Sequence, residues 1–144
     1  MENPQYELIT GELLETLKGD CLDVIDFAAK NFRVNLAFSD ESIVWLSSFI
    51  EDQRGKMDAQ TRRSWGVRIG IYLGFAIIGR YGGDWVVRTD SHNPAVRFST
   101  GALAFPLTKA QKQFENGIVD NIYGLYRNIE RLLRREFVPG TSSS

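Results

Sequence analysis

The sequence predicts an α+β domain in which helices pack on a small antiparallel meander of three to four strands. Three observations carry that expectation. Apolar residues recur at helical spacing from Leu13 to Ile50 and again from Ile118 to Leu133. Between these blocks, Trp85 to Thr89, Ala95 to Ser99 and Ala102 to Leu107 are three short β-prone runs divided by turn-forming residues. The 144 residues, 43% hydrophobic and 24% charged, match the composition of one globular unit with a sizeable core. Residues 1–137 are therefore expected to form a single domain, and the Ser-rich end 138–144 a disordered tail.

The elements follow in order. Thr10 is a suitable N-cap for a helix through Leu13, Leu14 and Leu17, and Gly19 offers a left-handed stop. Asp20 can then cap a second helix with the apolar body Leu22, Val24, Ile25, Phe27 and Ala28, ending near Phe32. Phe32, Val34, Leu36 and Phe38 alternate with Arg33, Asn35 and Ala37, the two-residue period of a half-buried strand. Ser39 or Asp40 caps the next helix, in which Ile43, Leu46, Phe49 and Ile50 share a face up to about Gly55. Asp58 can cap the segment that follows. After the meander, whose last run ends at an edge-tolerant Pro106, Thr108 and Gln111 match a capping box for a short helix broken at Asn116-Gly117. A final helix carries Ile118, Ile122, Leu125, Tyr126, Ile129, Leu132 and Leu133 on one stripe.

The segment from Trp65 to Gly83 is the most unusual. Gly66, Gly70 and Gly74 are four apart, so on a helix they line one groove open to the close approach of another backbone. Each glycine costs a helix about 1 kcal/mol relative to alanine, which requires tight packing in return. The same residues alternate well enough for a strand, but the segment is long for one and no turn precedes it. Crossing a membrane is excluded, since the apolar run Ile69 to Gly79 has eleven residues between Arg68 and Arg80 and a span needs about 20.

Phe38-Ser39-Asp40-Glu41-Ser42-Ile43-Val44-Trp45-Leu46, Ile71-Tyr72-Leu73-Gly74 and Tyr81-Gly82-Gly83-Asp84-Trp85-Val86 together resemble a widespread group of small bacterial domains of unknown function. Some members of that group are encoded beside secreted toxins as immunity proteins. The resemblance spans about residues 34–110. It implies that Tyr72-Leu73-Gly74 lies on a long helix and that Gly82-Gly83-Asp84-Trp85 leads into the first strand of the meander. This chain is apolar after Leu73, where the group has exposed Glu and Arg, which implies that the face is covered here.

Little in the chain points to catalysis, a metal or a cofactor, and none of the three is expected. His92 is the single histidine, set in a turn before Asn93-Pro94, so neither a triad nor a histidine-based metal site has a second member. Carboxylate pairs for acid–base work are confined to Asp84 with Asp90 and Asp23 with Asp26. Cys21 has no cysteine partner and is flanked by Asp20 and Asp23, which oppose a thiolate. Neither Gly70-Ile71-Tyr72-Leu73-Gly74 nor Gly79-Arg80-Tyr81-Gly82-Gly83 completes a phosphate-binding motif. Arg127, Arg131, Arg134 and Arg135 cluster near the chain end, but helix-dipole and ion-pair effects account for them, and a pI of about 5.8 disfavours nucleic acid.

Charge is polarised along the chain. Met1 to Asp58 holds 12 acids against 5 bases, and Ala59 to Ser144 holds 6 acids against 12 bases. With Met1 to Pro4 lacking a secretory pattern, a cytoplasmic location is expected, with no membrane association. The expected work is binding a protein partner. Taken with the resemblance, this becomes an immunity-type protein that blocks a cognate bacterial toxin, the partner surface comprising Glu12, Glu15, Asp23, Asp26, Glu51 and Asp52. The alternatives are a nucleic-acid-binding domain, resting on Arg127, Arg131 and Arg134, and a small enzyme using Asp84, Asp90 or His92.

Overall fold

The computed structural model describes residues 5–137, with side chains to Arg134. The tail expected at 138–144 lies outside the described residues. A short strand β1 (Tyr6–Leu8) precedes helices α1 (Gly11–Phe32), α2 (Asp40–Gln53) and α3 (Ala59–Tyr81). Strands β2 (Asp84–Arg88), β3 (Ala95–Arg97) and β4 (Leu103–Ala104) come next, then α4 (Pro106–Asn116), a 3-10 turn at Ile118–Asp120 and α5 (Ile122–Phe137). The fold is α+β. Its sheet is wholly antiparallel in the order β1-β2-β3-β4, so the expected meander is extended by a strand from the start of the chain. Tyr6 faces Arg88 and Leu8 faces Val86 across the first ladder, and Trp85 faces Val96 across the second.

α1 is one helix where the sequence predicts two. Gly19 stands inside it on the solvent side, and a Cβ there would meet nothing within 4 Å. Leu17, Cys21, Val24 and Ala28 form an unbroken buried stripe past it, and that burial outweighs the local preference of glycine for a stop. Asp20 is accordingly an interior helical residue and caps nothing. Thr10 occupies the N-cap position without a side-chain capping bond. The real stop is at Arg33, left-handed at φ 56°. Its N–H bonds Ala29 O at 3.1 Å and the Val34 N–H bonds Ala28 O at 3.1 Å, so two of the last carbonyls of α1 are satisfied around the left-handed residue.

The strand expected over Phe32 to Phe38 does not form. Of the four residues expected to face inward only Val34 and Leu36 do so, Phe32 being the exposed last residue of α1 and Phe38 exposed as well, and no neighbouring strand completes a ladder. Side chains take over the backbone donors instead: Ala37 N–H bonds Ser42 Oγ at 2.9 Å and Phe38 N–H bonds the Tyr72 hydroxyl at 2.8 Å. Phe38 stacks on Tyr72 with ring centroids 4.7 Å apart. Ser39 and Asp58 cap α2 and α3 through the Ser42 and Thr61 N–H groups.

α3 is the central element, packed most extensively against α4 and α1. Its buried run, Ile69 to Leu73 with Ala76 and Ile77, belongs to one hydrophobic cluster with residues from α1, α2, the sheet, α4 and α5. The glycine groove is filled as the spacing predicts. Gln111 lies over Gly66, the backbone of Pro106 and Leu107 over Gly70, and the Trp85 indole over Gly74. α3 ends at Tyr81 and β2 begins at Asp84, with Gly82 and Gly83 at φ 80° and 119° making the turn.

The chain after the sheet corrects three further expectations. Pro106 is the first residue of α4, not the end of a strand, a position suited to a residue with no N–H to donate. The Thr108–Gln111 pair therefore caps nothing. Thr108 accepts from Asn93 Nδ2 and Gln111 donates to Arg63 O. α5 begins at Ile122, and Ile118, expected on its apolar stripe, is 58% exposed in the 3-10 turn. Buried Gln113 ties this region together, donating to Ser47 and Glu51 of α2 and accepting the Ile122 N–H at 2.8 Å.

Candidate functional site

At 100° of rotation per residue, Glu12, Glu15, Asp23 and Asp26 fall within about 80° of one another on α1. Their common face is opposite the buried stripe, and all four are exposed. The row extends over about 21 Å of helix. Leu22, 58% exposed, sits beside it one turn before Asp26. The single cation paired with this row is Lys18, 3.4 Å from Glu15 Oε2 in an exposed pair among the described residues. Exposed pairs of this sort contribute about 0–1 kcal/mol. The carboxylates are thus open to solvent, with an exposed apolar side chain at the edge of their row.

The two remaining acids of the expected surface behave differently. Asp52 is exposed on α2. Glu51 is turned toward α4, where Oε2 accepts a hydrogen bond from Gln113 Nε2 at 2.9 Å. It is occupied in holding α2 to α4 and does not extend the α1 face.

Of the residues weighed for catalysis, Asp23 and Asp26 lie in the exposed row on α1, and Asp84, Asp90 and His92 are not brought together. Asp90 is bound side-on by Arg88, with Nε and Nη2 donating at 2.9 and 2.7 Å, and this pairing holds its carboxyl below the usual range. Asp84 and His92 line separate clefts. No group of three or more His, Cys, Asp or Glu residues among the described residues is placed to hold a metal ion. Cys21 is buried, and burial, not its acidic neighbours, pushes the thiol up to about 12.

Sequence reasoning missed a polar cluster where α2, α3 and α5 meet. Asp40, at the start of α2, accepts from Arg80 Nη1 at 2.9 Å and from the Tyr123 hydroxyl at 3.1 Å. Arg127 donates to that hydroxyl at 2.9 Å, and Arg80 stands 3.9 Å from Glu130. The Arg80 guanidinium also lies over the rings of Tyr81 and Tyr126, at 5.2 and 5.3 Å. Each cation here has an anionic or aromatic partner already, so the cluster braces α2, α3 and α5. Two of the arginines weighed for nucleic acid are similarly engaged: Arg127 in this network and Arg134 with Glu130. Asp40 looked only like a cap in the sequence, because its partners arise from two distant segments, α3 and α5.

No helix among the described residues is long and apolar enough to cross a membrane. No protein-family model, curated protein or solved structure matches this chain.

Proposed function

We propose that the protein is an immunity-type inhibitor that neutralises a cognate bacterial toxin by direct contact, docking the outer face of α1 on a basic surface of the toxin. The observation that carries this reading is the placement of Glu12, Glu15, Asp23 and Asp26 on one exposed helix face with exposed Leu22 at its edge. An exposed leucine beside a row of carboxylates supplies both parts of a recognition surface. The apolar side chain is an anchor to bury, and the charges steer a basic partner and fix its orientation. The resemblance to small bacterial domains that include immunity proteins points the same way.

Co-expression with a toxin encoded at the neighbouring locus tests the function, and the triple reversal E15K/D23K/D26K tests the surface. The wild-type chain should rescue growth. The variant, whose changes are all on solvent-exposed positions, should keep the wild-type unfolding transition while association slows by about 10- to 100-fold at low salt. Rescue by the reversed variant at wild-type level would move the contact off α1. Failure of the wild-type chain to protect would refute the inhibitor reading itself.

A further inference from the structure

A cleft of about 460 Å³ opens between α1, α3, the start of α4 and the turn joining β2 to β3. That is within the range occupied by small organic ligands. Its floor is apolar, formed by buried Leu17, Ile71 and Leu107. Its walls include Leu13 and Val67, which remain 45% and 37% exposed, so apolar surface in the cleft is left facing water.

One charged group is set in this lining without a partner. Asp20 is half-buried and, among the described residues, accepts no hydrogen bond and has no cation within 4 Å. Loss of solvent raises its carboxyl pKa, Asp23 adds to the rise, and Arg68 opposes it from a distance. Arg68 is itself drawn over the Trp65 ring, 5.6 Å from the centroid.

The donors around the cleft are mostly engaged elsewhere. Thr16 donates to Glu12 O, Asn93 Nδ2 to Thr108 Oγ1, and Gln111 Nε2 to Arg63 O. An anionic ligand would therefore meet an unpaired carboxylate and few free donors, with His92 at the exposed lip the main exception. A cation reverses both disadvantages. It supplies the partner that Asp20 lacks, and an attached hydrocarbon covers Leu13 and Val67.

We propose that this cleft is a binding site for a small amphipathic amine, with its ammonium group at Asp20 and its alkyl or arylalkyl body on Leu13, Leu17, Ile71 and Leu107. The site stands apart from the row of acids on the outer face of α1, because Asp20 is turned from that row toward α3 and α4.

Titration of the full chain with phenethylammonium, n-hexylammonium and the charge-inverted 3-phenylpropionate, followed by ¹⁵N–¹H NMR, tests the proposal. Both amines should give saturable shifts centred on Leu13, Asp20, Ile71 and Leu107, and 3-phenylpropionate should give none. D20N, which keeps side-chain shape and breaks no internal hydrogen bond, should weaken amine binding by about tenfold. L13A should weaken it through lost apolar contact, giving a second variant whose changed side chain is largely outside the core. The proposal is overturned if neither amine saturates below about 10 mM, if the carboxylate binds as well as the amines, or if D20N binds amines as tightly as the wild-type chain. Tighter binding of acetyl-lysine amide than of n-hexylammonium would also overturn it, by assigning the cleft to a lysine side chain of a protein partner.

Discussion

Replacing Gly70 by alanine sets helix propensity directly against packing. Alanine favours the interior of α3 by about 1 kcal/mol. A Cβ at this position, however, would lie 2.5 Å from Leu107 Cα, 2.9 Å from Leu107 N and 3.0 Å from Pro106 O. All three are backbone atoms and cannot rotate away. Carbon–carbon contact is comfortable at about 3.5–4.0 Å, so the first turn of α4 would have to retreat by about 1 Å. Overpacking of this sort costs about 1–3 kcal/mol, and the retreat also loosens Leu107 and Ala110, both buried against α3. Packing wins, and G70A should lower unfolding stability by about 1–2 kcal/mol in urea titrations followed by tryptophan fluorescence. Gly19→Ala is the control. It lies in a helix interior with nothing within 4 Å of the added carbon, so only the propensity gain of up to about 1 kcal/mol applies. A G70A protein as stable as wild type, or a shift in the same direction for both variants, would refute the close approach of α4 to the glycine groove.

Two further outcomes follow from the buried polar and ionisable groups. Gln113→Ala removes donors to Ser47 and Glu51 and leaves the buried Ile122 N–H without its acceptor. Stability should fall by about 2–4 kcal/mol, with the Ile122 amide exchanging faster in native-state hydrogen exchange. Unchanged exchange at Ile122 would show that Gln113 is not its acceptor. For Cys21, the folded thiol holds its proton up to about 12 against 9.0 for a free thiol. The folded chain then binds more protons than the unfolded chain between those values. The contribution is fully present below pH 9.0 and is lost as pH rises toward about 12. Burial also raises Tyr72 and Tyr81, which act in the same direction at higher pH. Denaturation midpoints on either side of pH 9.0 should therefore fall less steeply in Cys21→Ala than in the wild-type chain. Equal slopes would mean that the thiol is not desolvated.

Periodicity made α2 and the three strands after Gly83 legible, whereas α3, whose residues also alternate as in a strand, was legible only through its length, the absence of a turn before it and the resemblance that places Tyr72-Leu73-Gly74 on a long helix. The groove of Gly66, Gly70 and Gly74 was legible as a groove, but its occupants were not, since Trp85, Pro106–Leu107 and Gln111 reach it only through tertiary folding. β1 escaped notice because a three-residue edge strand, with Glu7 and Leu8 exposed, has little need of an alternating pattern. The segment from Phe32 to Phe38 misled for the converse reason. Alternation reports which side of an extended chain is buried, and Leu36 obeys it without a neighbouring strand. Pro106 likewise admits two readings, strand edge or first helical turn, and the packing of α4 on α3 decides between them.

The candidate surface depends on the same balance that decided Gly19. With a helix break there, Glu12 and Glu15 would belong to one helix and Asp23 and Asp26 to another, and nothing would fix the rotation between the pairs. Once Leu17, Cys21, Val24 and Ala28 are buried as one stripe, eight residues of uninterrupted helix separate Glu15 from Asp23. Eight residues are about 2.2 turns, which returns Asp23 to within 80° of Glu15 and merges two acidic pairs into one row. The same rotation turns Asp20 out of that row and into the cleft with Leu13 and Leu17. Burial along one side of α1 thus determines which of its acids stand together on the outer face and which one lines the cleft.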